Sequence, residues 1–351
     1  MSNPGQPDAL YVEAMQALAD ENGNQSAAAR RLGIKRETFR GRIARASQLG
    51  ITAHGKPNEG PVLPDFPADD IPIEKVIDQM CERFEMRRAS HAAHTWFPIK
   101  FPDDQPIGIM WWGDPHLDDN GCNMPLIKRY AEICKTTEGL WSANIGDTTN
   151  NWIGRLVRLY ADQDTSLKTA RRLAKWFMHD AGINWLVWLL GNHDSWGDGA
   201  DILAMMGKAG PNKIVCHEWE ARFRLCFPGG REVKVHAAHN FKGHSLWHNM
   251  HGLVRQANLG EDTDLLVAGH LHTWGIHREE LAGRGGTFPT MIRVRGFKHM
   301  DDHARNLGFS DEEEGGAVLT IIDPSAESRS GLINVFTDIP QGIKVLNALR
   351  S

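Results

Sequence analysis

The sequence predicts a layered α/β domain preceded by a small all-α module, and three observations carry that prediction. From Phe97 to the C-terminus, short apolar runs alternate with helical stretches, the pattern of strands and helices packed in layers. Before residue 50, apolar positions recur only at helical spacing, as in a helical bundle. A chain of 351 residues is also long for one core, so one large domain with an appendage suits its length. The expected organisation is a helix-turn-helix module over 1–50, a Pro-rich linker over 51–72, a connecting helix over 73–96 and the large domain over 97–351.

The elements follow in order. LYVEAMQALADENG spaces Leu10, Ala14, Ala17 and Leu18 as a helix ended by Gly23. Asn24 or Ser26 can cap the next helix, QSAAARRLG, which Gly33 closes. IKRETFRGRIARASQLG resumes helical spacing through Phe39, Ile43 and Ala46. This succession is the helix-turn-helix pattern, with the third helix as reader. That helix carries Lys35, Arg36, Arg40, Arg42 and Arg45 against one acid, Glu37, a local basic patch of the kind that neutralises phosphates. Nucleic acid is therefore an expected partner, DNA ahead of RNA; the competing reading is a three-helix interaction module with a solvated basic face. ITAHGKPNEGPVLPDFPADDIP holds five prolines without periodicity and reads as a linker. IEKVIDQMCERFEMRRASHAAH follows as an amphipathic helix with Val76, Ile77, Met80 and Phe84 on one face, expected as a packing strut. The expected strands are IGIMWW, SANIGD, NWLVWLL, EVKVHAAH, DLLVAGH, MIRVRGF, AVLTIID and LINVFTD, and Pro228-Gly229-Gly230 reads as a hairpin turn between RFRLCF and EVKVHA.

Composition narrows the setting. Apolar residues at 41% and charged ones at 24% are ordinary for a globular protein. The formal net charge of −5 argues against a uniformly basic coat. Five cysteines with no Cys-x-x-Cys pair fit free thiols in a reducing compartment better than disulfides or a cysteine zinc site. The N-terminus has no basic-then-apolar signal pattern, and no apolar run is long enough to span a bilayer. The expectation is a cytoplasmic protein without a membrane partner; the oligomeric state stays open.

Polar clusters recur at the ends of the expected strands. IGIMWW runs into Gly113-Asp114-Pro115-His116, SANI into Gly146-Asp147-Thr148-Thr149-Asn150, and WLVWLL into Gly191-Asn192-His193-Asp194. EVKVHAA ends in His239-Asn240, and DLLVA in Gly269-His270-Leu271-His272. Strand C-termini in an open α/β sheet converge on one crevice, so five edges can supply one site. Aspartate, asparagine and histidine give mixed oxygen and nitrogen donors without sulfur, a set for Mn²⁺, with Fe or Zn²⁺ as alternatives, rather than Ca²⁺. One carboxylate can bridge two ions at roughly 3.5–4 Å, the spacing that holds attacking and leaving oxygens of a phosphoryl transfer. Any one cluster alone is a polar strand end; five in series point to a metal centre.

Asp-x-His, Gly-Asp, Gly-Asn-His-Asp, His and Gly-His-x-His, in that order, resemble the calcineurin-like metallophosphoesterase superfamily from about Ile107 to Phe297. The resemblance implies a four-layer αββα sandwich holding two divalent metal ions. It implies that Asp114, His116 and His272 bind one metal, that Asp147 bridges, and that Asn192, the fourth-motif histidine and His270 bind the other. His193 is then the residue that protonates the leaving oxygen or holds the phosphate, a task suited to an imidazole near neutrality. The resemblance further implies metal-bound hydroxide as the group that would attack phosphorus, with Asp194 orienting neighbouring ligands. For the fourth motif His239 is favoured because the strand gives way there; His236, mid-strand, is the alternative. GDTTNNWIGR departs from the Gly-Asp-x-x-Asp-Arg-Gly of the protein phosphatase branch: Asn150 and Asn151 stand where that branch has Asp and Arg, and Arg155 is the candidate to reach phosphate instead, with a plain helix-surface arginine as the equal alternative. GDTTNNWIGRLVRLY, HNFKGHSLWHNMHG and GFKHMDDHARNLGF further resemble metallophosphoesterases common in bacteriophage and prophage genomes, which implies a host-cytoplasm setting.

The expected activity is phosphodiester hydrolysis, as a nuclease of DNA or RNA. A small-nucleotide phosphodiesterase or phosphatase is the enzyme alternative, and a DNA-binding regulator with an inactive phosphoesterase domain is the alternative of another class. Tryptophans 111, 112, 185 and 188 are expected in the core; for Trp152, Trp196 and Trp247, packing is preferred over base stacking.

Overall fold

The computed structural model describes residues 7–54, 64–67, 69–281, 287–299 and 315–351, and the chain divides into two compact units, Met1–Gln79 and Met80–Ser351. The first unit holds α1 (Pro7–Asp20), α2 (Gln25–Arg31) and α3 (Arg36–Gln48). Asn24 Oδ1 accepts hydrogen bonds from the Ser26 and Ala27 amides and caps α2. Small side chains let the three helices approach closely: Ala14, Ala17, Ala28 and Ala29 bury around Phe39. This is the helix-turn-helix module expected. On and just before α3, Lys35, Arg36, Arg40 and Arg45 are exposed, while Arg42 is half-buried. Much of the Pro-rich linker lies outside the described residues.

α4 (Ile73–Ala93) forms as its periodicity predicts, but none of its residues is buried. The packing strut expected there is not found. The helix also stops short of residue 96, because Thr95–Lys100 is a strand, β1. Pro98 hid it; β1 pairs only with β6, at a sheet edge where a missing N–H is tolerated.

The second unit is a two-sheet sandwich. One sheet has the order β12-β11-β2-β3-β4-β5, built from β12 (Ile333–Phe336), β11 (Ala317–Ile322), β2 (Ile107–Trp112), β3 (Leu140–Asn144), β4 (Trp185–Leu190) and β5 (Cys216–Glu218). The other has the order β1-β6-β7-β8-β10-β9, with β6 (Glu220–Cys226), β7 (Glu232–Ala238), β8 (Leu265–Ala268), β10 (Thr290–Arg293) and β9 (Gly275–Arg278). The Pro-Gly-Gly hairpin is present, with Cys226 opposite Glu232 and Gly230 at φ +84°. Strands β5 and β9 are short edge strands that no clean alternation announced.

Three hydrophobic layers define the order of the sandwich. Ile109, Trp111 and Leu189 of the first sheet meet Phe223, Val235 and Val267 of the second. The outer face of the first sheet, including Met110, Trp112 and Trp188, is covered by α5 (Met124–Thr136), α6 (Leu167–Lys175), α7 (Gly199–Ala209) and α9 (Ile339–Arg350). The outer face of the second packs on α8 (His251–Leu259) through Leu266, Leu253 and Ala257. Helix, sheet, sheet, helix is the αββα arrangement. Strands β2, β3 and β4 are parallel, as are β7 and β8, so each sheet brings a set of C-terminal ends to a common edge.

Trp112 anchors the outer layer. It is fully buried, its rings lie 5.1 Å from Phe177 and 5.4 Å from Phe297, and its Nε1–H donates to Ser142 Oγ at 3.2 Å. Truncating a buried aromatic to alanine costs about 3–5 kcal/mol. Trp112→Ala is therefore expected to lower the unfolding midpoint of the large unit by roughly 10 °C, read by differential scanning calorimetry.

Candidate metal centre

His239 stands where the loops meet. β7 ends at Ala238, and the His239 carbonyl accepts from the Gly269 amide at 3.0 Å, joining the fourth and fifth polar clusters. Its Nδ1–H donates across the sandwich to the Ile145 carbonyl at 2.8 Å. Nε2 then faces Asn192 Oδ1 at 3.0 Å, His270 Nδ1 at 3.0 Å and Asp147 Oδ2 at 3.3 Å. His236 is elsewhere: its Nε2 lies 3.2 Å from Glu220 Oε2 and its ring packs on Phe241.

Among the described residues, ligand atoms within 4.8 Å of one another are offered by two trios, Asp147, His239 and His270, and Asp147, His116 and His193. Asp147 is common to both. Asp114 lies beside the first trio, with Oδ1 3.6 Å from His239 Nδ1 and Oδ2 accepting from the His270 amide at 2.7 Å. The His272 ring is 5.3 Å from that of His116. All seven residues expected as metal ligands thus belong to one neighbourhood.

The donor set has the chemistry of a cation site. Asp114 Oδ1 and His116 Nδ1 are buried without a hydrogen-bond partner, a costly state for polar atoms unless a charge faces them. Burial lifts the Asp114 carboxyl to about 7, helped by the negative charges of Asp147 and Asp194 and opposed by His239. Burial also works against Asp147, but the bond and charge of His239, then His116 and His193, hold its carboxyl below the usual range. Burial disfavours a charged His239, yet Asp147 and Asp114 outweigh it and raise it to about 9. A proton between His239 and Asp147 is the smallest cation that relieves this potential. His116 is pushed well down by burial and by His193, and His270 to about 4 by burial and His239, so both rings are neutral and able to donate a lone pair.

Local backbone explains how five loops fit. Asp114, His116, Asp147, His270 and His272 all have positive φ, from 32° to 70°. Such conformations cost of order 1–3 kcal/mol each for residues other than glycine and cluster at functional sites. The glycines serve close approach: a Cβ on Gly191 would stand 2.1 Å from Asp147 Oδ1, and one on Gly146 would stand 2.7 Å from His239 Nδ1. After Gly113 and Gly269 the left-handed turn falls on the following residues, Asp114 and His270, and not on the glycines.

His193 is held on every side. Its amide donates to Asp147 Oδ1 at 2.9 Å and its Nδ1–H donates to the Asn150 carbonyl at 2.6 Å. That fixes the tautomer and leaves Nε2 facing inward, 4.0 Å from Asp147 Oδ2. Trp196, His116 and Trp152 pack on the ring at 4.2, 4.9 and 5.1 Å. Asp194 accepts from the amides of Thr148 at 2.9 Å and Gly191 at 3.0 Å, tying two clusters together. Asn150 acts through its carbonyl, while its side chain turns away to Asp119 at 2.7 Å. Arg155 is exposed on the short 3₁₀ helix Gly154–Asp162.

Three residues escaped the sequence reading. Lys298 Nζ lies 3.0 Å from Asp119 Oδ2 and 5.8 Å from the Trp152 ring centroid, and its charge acts on His116. Its neighbours in GFKHMDDHARNLGF beyond residue 299 lie outside the described residues. Asn151 donates to the carbonyls of His193 at 2.9 Å and Trp196 at 2.8 Å. Arg293, fully buried in β10, donates to the carbonyls of Asn249 and Gly269 and to Asn240 Oδ1. A lone charged residue in an apolar strand was the one signal for it.

Residues 15–45 match the family described as Bacterial regulatory protein, Fis family. No curated protein is significantly similar to the sequence. Among solved structures, similarity in fold extends to the calcineurin-like phosphoesterase YfkN from Bacillus subtilis, at 13% identity over 70% of this chain and 99% of that one, with a TM-score of 0.34. Vps29 from Chaetomium thermophilum follows at 11% identity, 66% and 95% coverage and a TM-score of 0.33. The NAD nucleotidase NadN of Haemophilus influenzae is similar at 10% identity over 66% of this chain and 49% of that one, TM-score 0.36.

Gly191→Ala tests the packing. The added methyl has no free volume against Asp147, and overpacking of this kind costs about 1–3 kcal/mol. The expected outcome is a lowered unfolding midpoint together with weakened binding of a divalent cation, read by isothermal titration calorimetry.

Proposed function

We propose that this chain is a metal-dependent phosphodiesterase acting on nucleic acid, with its helix-turn-helix module supplying DNA contact. The observation that carries the reading is the crowding of acceptor atoms around His239 Nε2, with Asn192 Oδ1, His270 Nδ1 and Asp147 Oδ2 at 3.0–3.3 Å. With Nδ1–H given to the Ile145 carbonyl, Nε2 and these atoms form a compact donor set that a cation would gather. Asp114, His116 and His272 would hold one divalent ion, Asn192, His239 and His270 a second, and Asp147 both. Nitrogen and oxygen donors without sulfur favour Mn²⁺, with Fe or Zn²⁺ as alternatives. Bound ions would supply Lewis acidity and lower the pKa of water at the site.

The chain's own groups account for the rest. His193, with Nδ1–H tied to the Asn150 carbonyl, presents Nε2 to the leaving oxygen, where the imidazolium form would donate its Nε2 proton and return to the neutral ring. Asp194 and Asn151 keep the loop of His193 in register. Lys298 supplies positive charge for the phosphate, with Arg155 as a further candidate. Lys35, Arg36, Arg40, Arg42 and Arg45 neutralise the DNA backbone, an association expected in the cytoplasm.

The test offers the purified chain, with Mn²⁺, bis-p-nitrophenyl phosphate, p-nitrophenyl phosphate and labelled single- and double-stranded DNA. Diester turnover is expected, abolished by chelation and by Asp147→Ala and reduced about 10²–10⁴-fold by His193→Ala. Turnover of the monoester alone would favour a small-nucleotide phosphatase and overturn the proposal. Deleting residues 1–50 is expected to weaken cleavage of duplex DNA and its salt dependence while sparing the chromogenic diester; equal loss on both would refute a targeting role.

A further inference from the structure

Resting on the phosphodiesterase reading, a deeper assignment concerns the loop between β7 and α8, residues 239–250. Its tip is Leu246-Trp247, and these side chains are 82% and 94% exposed. Packing was the expectation for Trp247, and the structure overturns it. Leaving two large apolar side chains in water forfeits roughly 1.5–3 kcal/mol each, so their display calls for a partner.

The loop is anchored, not loose. Phe241 and Met250 are buried at its feet, and Arg293 Nε donates to the Asn249 carbonyl at 2.7 Å. Asn249 Nδ2 donates to the Trp274 carbonyl at 3.1 Å and Thr273 Oγ1 at 3.3 Å, immediately after His272. At the other foot, Asn240 follows His239 directly. Both feet therefore adjoin residues of the metal centre, and the tip stands on its rim.

Charge identifies the partner. From Val233 to Gly260 the sequence has no aspartate or glutamate. Lys242, His244, His248, His251 and Arg255 are all exposed there. An exposed indole amid cationic and imidazole groups and free of acids suits a polyanion that also offers flat apolar faces. A single nucleic-acid strand is such a ligand: its phosphates meet the cations and its unpaired bases stack on aromatic rings. A duplex hides those faces. We infer that the 239–250 loop binds single-stranded nucleic acid, with Trp247 stacking on a base next to the phosphate held at the metal centre.

The experiment uses the full-length chain and its Trp247→Ala and Trp247→Phe variants. Binding of fluorescein-labelled oligo(dT) and of a matched duplex is measured by anisotropy. Turnover of the same oligonucleotide and of bis-p-nitrophenyl phosphate is measured with Mn²⁺. Trp247→Ala is expected to weaken oligo(dT) binding about tenfold, the scale of one base stack, with Trp247→Phe recovering most of it. Duplex affinity and chromogenic turnover should not change. Unchanged oligo(dT) affinity overturns the inference, as does equal loss on strand and duplex. Trp247-dependent binding to phosphatidylserine vesicles without binding to oligo(dT) would overturn it in favour of a membrane surface. The binding measurement stands without catalysis: weakened strand binding with no diester turnover by any form would keep the stacking loop and reject the phosphodiesterase.

Discussion

Three carboxylates, Asp114, Asp147 and Asp194, are buried at one edge of the sandwich, and the structure around them is organised by the need to balance that charge. Asp194 is satisfied by backbone amides. Asp147 draws on His239 and on the His193 amide. Asp114 retains an oxygen with no hydrogen bond. Removing a carboxylate from water costs several kcal/mol even after relaxation. A protein built only for stability would have replaced these groups. Their retention beside neutral imidazoles makes sense where positive charge is to be gathered.

The same need explains the strain. Asp114, His116, Asp147, His270 and His272 are bent into left-handed backbone, and each bend is held by something rigid. His116 N donates to the Asp147 carbonyl at 3.0 Å, and Gly269 N to that of His239. Arg293 ties Gly269 to Asn240 and Asn249 from beneath. Behind these bonds lies the dry contact between the two sheets, whose dense packing resists small shifts. The core fixes strand ends, strand ends fix strained turns, and the turns aim the donors.

How much of this was legible in the chain follows from the range of each interaction. Nine strands, counting the hairpin arm RFRLCF, and the helix-turn-helix showed through because hydrophobic periodicity is local. Four of the five polar clusters showed through because a glycine and a candidate ligand stand side by side after the run; the other, His239-Asn240, follows Ala238 directly. His239 was separable from His236 by place alone: one follows the strand, the other sits within it. Strand β1 was lost behind Pro98, and β5 and β9 were too short to alternate. Arg293, Lys298 and Asn151 act on partners 24 to 182 positions away in sequence, so no window could find them.

Hydrolysis of a phosphodiester is chemically the same at every position of a polynucleotide, so a centre that reads only phosphorus cannot choose among them. In the reading proposed here, choice lies outside the cluster, at two levels. A basic helix contacts duplex backbone and raises the local concentration of substrate through its tether, an effect that needs no new contact at the active centre. The acid-free loop with its exposed indole then favours strands whose bases are unpaired. The first acts through charge and weakens with salt; the second acts through stacking and depends on unpairing. A substrate satisfying both would carry duplex and single strand together, and neither feature alone would select it.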